Sequence, residues 1–211
     1  MKEDKALSSI DLVGQCLLDT QRTNAFHEAI KRAIKPSMTV LEAGTGSGIL
    51  AIYAAKAGAK KVYAIELDPY IAKIARNNVA ANGLEESIQI VEADARSVQL
   101  PFGVKIDILI MEMLTTGMID EFQIPTISHL REAGYISSST IFIPKCQKSF
   151  ITLGKTDFNF DGVIMPMILH AWDIHAKKNR FTPLSGKNLY DSYEFNITKT
   201  MELDATIKFR I

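Results

Sequence analysis

The chain is poor in cysteine and has no net charge, and each shortage closes off a class of protein. Cysteine occurs only twice, at Cys16 and Cys146, far apart and in no C-x-x-C spacing. That excludes a disulfide framework and a thiolate zinc centre, leaves no metal to expect, and fits a reducing cytoplasm. Lys plus Arg and Asp plus Glu both number 24, so the formal charge balances at zero. A globally basic nucleic-acid binder is excluded, and the lysine pairs Lys60-Lys61 and Lys177-Lys178 are no more than local patches. No stretch approaches the ~18 apolar residues of a membrane span. The opening MKEDKALSSIDLVGQ has no apolar centre of the kind a signal peptide needs. Repeats and low-complexity segments are missing as well.

What is present is an ordinary globular balance, 47% hydrophobic and 23% charged over 211 residues. That length supports one full domain and a small second one. Between residues 20 and 34, Ala25, Phe26, Ala29, Ile30, Ala33 and Ile34 share a helical face, and Pro36 stops the helix. Strand and helix patterns then alternate. MTVLEAG, KVYAIEL, SIQIVEA and IDILIME read as strands, SGILAIYAAKAG and DPYIAKIARNNVAANG as helices, and residues 118 to 131 as another helix. Such alternation predicts an α/β fold with a doubly wound, Rossmann-like parallel sheet. After Pro144 the period changes to two in KSFITL, SYEFNITK and ATIKFRI, which predicts a small β-rich, antiparallel region. The expected organisation is a helical covering segment at 1–36, a ligand-binding domain at 37–144 and the β-rich region at 145–211.

The chemistry centres on VLEAGTGSGIL. Gly44, Gly46 and Gly48 fall at the carboxyl end of the first strand, where open α/β sheets bind ligands. Glycines there allow positive φ and close backbone approach. No Lys-Ser/Thr follows, which excludes a Walker phosphate loop, and Ile49 stands where a dinucleotide fingerprint needs its third glycine. Glu66 ends the second strand, placed to accept both hydroxyls of a ribose. Glu42 precedes the turn. A carboxylate there would repel a pyrophosphate and attract an ammonium group, so the pair favours a nucleoside carrying an amino acid, the description of S-adenosylmethionine. A solvated strand-end role for Glu42 is the plainer alternative. Asp94 is placed for an adenine amino group, with the Ala95 N–H near a ring nitrogen; a turn or N-cap role suits Asp94 equally.

These residues resemble the class I S-adenosylmethionine-dependent methyltransferases. LEAGTGSGILAI is similar to their first motif, bringing in Thr45, and IELDP to their second, bringing in Leu67. From about Leu17 to Pro144 the chain is most similar to the protein arginine methyltransferases. LLDTQRTNAFHEAI resembles the helix whose arginine holds the cofactor's carboxylate, a role that passes to Arg22, since a guanidinium matches a carboxylate bidentately. MEMLTTGMIDE resembles the loop whose two glutamates grip the substrate guanidinium, which implies catalytic roles for Glu112 and Glu121. The departures are specific. Met111, Met113 and Thr116 replace the loop's Ser, Trp and Tyr, the tyrosine-rich covering helix is not recognisable in residues 1–14, and HAWDIH does not form the family's Thr-His-Trp loop. It reads as a packed β segment.

The resemblance implies a methyltransferase acting on a protein nitrogen, arginine first. RNA, another protein side chain or a small molecule stay as alternatives, although MEML is not the Asn/Asp-Pro-Pro-Tyr/Phe tetrapeptide of amino-methylating nucleic-acid enzymes. Ribosomal-protein methyltransferases share a very similar first motif and remain in play. A binding protein that keeps the cofactor and has lost catalysis is the reading from another class. ATIKFRI, an alternating strand with nothing closing it, suits pairing with a second copy in a homodimer.

Overall fold

The computed structural model describes residues 9–114, 121–156, 159–164 and 181–196. The chain divides into two units. The first holds the described residues up to Cys146 together with Glu194, Phe195 and Asn196, and the second holds those between Gln147 and Tyr193.

The first unit opens with two helices, α1 (Ile10–Leu18) and α2 (Thr20–Ala33). Asp19 separates them and caps the second, its Oδ1 accepting from the Arg22 N–H at 3.0 Å. The alternation then runs β1 (Thr39–Ala43), α3 (Ile49–Lys56), β2 (Lys61–Glu66), α4 (Pro69–Ala81), β3 (Ile88–Glu92) and β4 (Ile108–Met111). It closes with α5 (Gln123–Glu132) and β5 (Ile141–Ile143). The five strands form one sheet in the order β3-β2-β1-β4-β5, every pair parallel. The strands are apolar without alternation because both faces are covered. Val40 and Ile110 are fully buried in the cluster that includes Ile30 of α2 and Leu50 of α3, and Leu41 and Leu109 are just as buried.

The doubly wound expectation is met, with three adjustments. A fifth parallel strand, β5, joins the edge; at three residues it is too short to show a period. The helix expected from 118 begins at Gln123, so Glu121 precedes it rather than riding in its first turn. Within the helical segment expected at 1–36, a separate helix, α1, stands ahead of the one read at 20–34, and Ser9 starts it by accepting from the Leu12 N–H at 3.2 Å.

In the second unit the strands are short: β6 (Cys146–Ile151), β7 (Gly154–Thr156), β8 (Asn159–Phe160), β9 (Val163–Ile164), β10 (Phe181–Pro183) and β11 (Asn188–Glu194). β6 pairs with β11, while β7 with β10 and β8 with β9 are antiparallel pairs. KSFITL and the start of SYEFNITK fall on β6 and β11. HAWDIH and ATIKFRI lie outside the described residues. Among the described residues no helix is long and apolar enough to cross a membrane, and no cluster of His, Cys, Asp and Glu is placed to hold a metal ion.

Candidate functional site

The sheet order fixes where a site can form. Connections run from β1 outward to β3 and then return to β4 on the other side of β1, so the chain reverses direction between β1 and β4. Carboxyl ends of parallel strands at such a point frame a crevice. Here a cleft with about 180 Å³ of space open to water lies in the first unit. It is lined by all but one of the site residues expected from the sequence: Arg22, Glu42, Gly44, Thr45, Gly46, Glu66, Leu67, Asp94, Ala95, Glu112 and Glu121.

The floor is the glycine turn. Gly44, Gly46 and Gly48 all have positive φ, at 72°, 54° and 83°. The Gly44 and Thr45 N–H groups both donate to the Ile65 carbonyl, at 3.0 and 2.9 Å, which draws the turn across β2. A Cβ on Gly44 would sit 3.0 Å from Met113 Cγ, so space as well as φ demands glycine there. Gly48 is absent from the cleft wall. It caps α3 in the left-handed conformation, and a Cβ on it would meet Ala75 of α4 at 3.5 Å. That distance is ordinary contact, so it is the positive φ that asks for glycine there.

Glu66 is 2% exposed and pinned from two sides. Its Oε2 accepts the Gly46 N–H at 2.9 Å and its Oε1 the Asp68 N–H at 3.0 Å. The carboxylate is thereby locked at the strand end, facing the cleft. Glu42, also 2% exposed, is a buried acid rather than a solvated one. The Thr45 hydroxyl lies 2.5 Å from its Oε2. Burial pushes the Glu42 carboxyl up to about 8, against the Thr45 hydroxyl and the Ala51 backbone, and the Glu66 and Glu112 charges push the same way.

That shift has a sign that can be tested. Folded Glu42 keeps its proton until about pH 8, while the unfolded carboxyl loses it near 4.5. The folded state thus binds more protons between those values, and the associated stability, complete below the lower value, is lost as pH rises toward the upper. The expected slope in urea unfolding is a loss of up to roughly 1.4 kcal/mol per pH unit. Glu42→Gln should flatten it; parallel wild-type and variant curves between pH 5 and 8 would refute the assignment.

Arg22 reaches the cleft from α2. Its Nη1 forms an ion pair with Glu112 Oε2, and its Nη2 donates to the Cys16 carbonyl at 2.7 Å. Burial works against the guanidinium's charge, but Glu112 outweighs it and holds Arg22 above its ordinary range. Burial also pushes Glu112 up, and the Arg22 contact offsets this only in part. Arg22 Nε and the Thr126 hydroxyl are buried and take no hydrogen-bond partner in the structure. Opposite them, Asp94 is chelated by Arg96, whose guanidinium carbon sits 3.9 Å from the centre of the Phe122 ring. The Arg96 side chain and backbone hydrogen bonds hold Asp94 below the usual carboxylate range.

Several wall residues are not apparent from motifs. Leu12, Val13 and Cys16 of α1, Met113, Arg96, Phe122 and Thr126 all line the cleft. For α1 a signal exists: Ser9 followed by Leu12, Val13, Cys16 and Leu17 is a cap and a helical stripe. For Arg96 only the fold brings Phe122 alongside, and nothing in the sequence marks Thr126.

The cleft's charge decides what it can hold. Four carboxylates line it, Glu66, Asp94, Glu112 and Glu121, beside the Glu42 acid that burial keeps protonated up to about pH 8, against two guanidiniums that are already paired with carboxylates. A dinucleotide's phosphates fit that wall poorly. A nucleoside with cationic groups fits it, and its amino-acid carboxylate has Arg22 to meet.

Comparison with known proteins agrees with this geometry. Residues 20–164 match the family described as ribosomal protein L11 methyltransferase (PrmA). The uncharacterized protein MJ1452 of Methanocaldococcus jannaschii is 34% identical over 195 residues, covering 92% of this chain and 69% of that protein. The arginine N(omega)-methyltransferase of Streptomyces achromogenes is 37% identical over 118 residues, covering 55% of this chain and only 33% of the enzyme. The chain thus spans about a third of that relative's length. Among solved structures, Arabidopsis thaliana protein arginine methyltransferase 10 superposes with a TM-score of 0.72 at 20% identity, over 93% of this chain and 67% of that one, a likeness of fold.

Proposed function

Since the chain belongs to the ribosomal protein L11 methyltransferase (PrmA) family, we propose that it is an S-adenosylmethionine-dependent methyltransferase whose acceptor is a protein nitrogen, arginine's guanidinium first. The observation that carries this reading is the acidic cleft, with Arg22 as the residue to meet a carboxylate. When bound, S-adenosylmethionine supplies an electrophilic methyl group on a sulfonium. The chain's own residues do the rest. Arg22 holds the amino-acid carboxylate, Glu42 faces the ammonium group, the turn from Gly44 to Gly46 lets the ligand approach the backbone, and Glu66 binds the ribose hydroxyls. Leu67, Asp94 and Ala95 lie at the base end.

Glu112 and Glu121 orient the accepting nitrogen and disperse the positive charge that builds on it. The arginine preference draws support from within the molecule, because Glu112 already grips a guanidinium, that of Arg22. The name of the Streptomyces relative points the same way. The family match favours a second reading, a ribosomal protein as the acceptor.

Two measurements test this. Saturating S-adenosylmethionine, at a hundred times its Kd, should stabilise the fold by ~2.7 kcal/mol and raise Tm by roughly 5–10 °C for a chain of this size. An unchanged Tm removes the cofactor. Labelled methyl transfer into a cell extract, followed by protease or ribonuclease digestion, should leave label in methylarginine. Label in another residue type of a ribosomal protein would support the ribosomal reading, and ribonuclease-sensitive label would make RNA the substrate. A homodimer belongs to the same proposal, checked by light scattering.

A further inference from the structure

The base end of the cleft holds an arrangement that the expected adenine contact does not explain. Asp94 was placed to accept the base's amino group, yet each of its oxygens is already filled from one residue. Oδ1 accepts the Arg96 backbone N–H at 2.8 Å and its Nε–H at 3.0 Å. Oδ2 accepts the same Nε–H at 3.0 Å and Nη2 at 2.7 Å. Three N–H groups make these contacts, the Nε–H shared between the two oxygens, so both oxygens of the carboxylate are engaged by Arg96. Arg96 is held on its other side as well, its guanidinium stacked 3.9 Å from the centre of the Phe122 ring. To free Asp94, a base would have to break a bidentate charge-assisted pair and a cation–π contact together.

We infer that Arg96 is a specificity-determining residue for the nucleobase: by occupying Asp94 and facing the cleft itself, it removes the preference for a 6-amino group. Asp94 is an acceptor and would select an amino edge. The guanidinium beside it is a donor and favours an acceptor such as a 6-oxo group. With Arg96 in place the cleft is expected to take a 6-oxopurine nucleoside about as well as adenosine. Phe122 keeps the guanidinium flat in that position. Arg96→Lys fails to reproduce this, because an ammonium can neither chelate both oxygens nor stack in the same plane.

This inference rests on the reading of the cleft as an S-adenosylmethionine site, and one titration separates the two. Calorimetric titration of the full chain with S-adenosylhomocysteine and with its 6-oxo analogue, S-inosylhomocysteine, is expected to give Kd values within about threefold of each other. Arg96→Ala unmasks Asp94 and is expected to bring a preference of at least about tenfold for the adenosyl ligand. Asp94→Asn added to that variant should erase the preference again. A tenfold adenosyl preference in the unaltered protein overturns the role of Arg96 while leaving the cofactor reading intact. Absence of binding by both ligands overturns the two together.

Discussion

Glu112→Gln is expected to reduce methyl transfer about a hundred- to a thousandfold, the usual cost of removing one preorganised charge from a developing one, while S-adenosylmethionine still binds within a fewfold of the original affinity. The substitution preserves shape and keeps a carbonyl oxygen, so any loss is electrostatic. The complication is Arg22, which pairs with Glu112 across a site where both side chains are about a quarter exposed. Breaking a fully buried pair costs 3–5 kcal/mol, and solvent screening here brings that to about 1–2. Thermal melts and calorimetry therefore accompany the rate measurement. Full activity in a folded Gln variant would remove Glu112 from the chemistry. Loss of cofactor binding equal to the loss of rate would make it a scaffold for Arg22 instead.

Glu66→Ala should weaken cofactor binding by roughly a hundredfold, since hydrogen bonds to a charged group contribute ~1.5–3 kcal/mol each and a ribose offers two. The carboxylate also anchors Gly46 and Asp68, so a drop in affinity alone could reflect a loosened turn. A 2′-deoxy form of S-adenosylhomocysteine resolves this. The natural protein should bind it about tenfold more weakly than the parent ligand, and the Ala variant should no longer tell the two apart. Equal discrimination by both proteins would reassign Glu66 to the turn.

The parallel strands were legible because burial on both faces leaves unbroken apolar runs such as VYAI and ILIM, and the helices between them are bounded by Gly58, Gly83 and Pro69. The acids at strand ends followed from strand direction alone, which places Glu42, Glu66 and Glu112 at one edge. β5 escaped because three residues hold no period, and α1 is legible only as part of a helical segment at 1–36, its stripe being short and none of its residues buried. Gly48 does not line the cleft with Gly44 and Gly46, since a motif gives the order of residues and not which side of a turn they face. The occupation of Asp94 by Arg96, two positions away, was hidden for another reason. The same i to i+2 spacing occurs at many turns, and only the added Phe122, brought from 26 residues on by the fold, holds the guanidinium in place.

The helix α1 has no buried residue, with Leu18 79% exposed, although Leu12, Val13 and Cys16 face the cleft. Little of its docking energy can come from the protein alone, so its amides belong to the fast-exchanging end of the molecule. A ligand bound in the cleft would lie against Leu12, Val13 and Cys16 and add to that contact, so that opening of the helix would be tied to ligand release. Turnover would in that case be paced by the departure of spent cofactor under α1, and the helix becomes the clock of the cycle rather than a wall of the site.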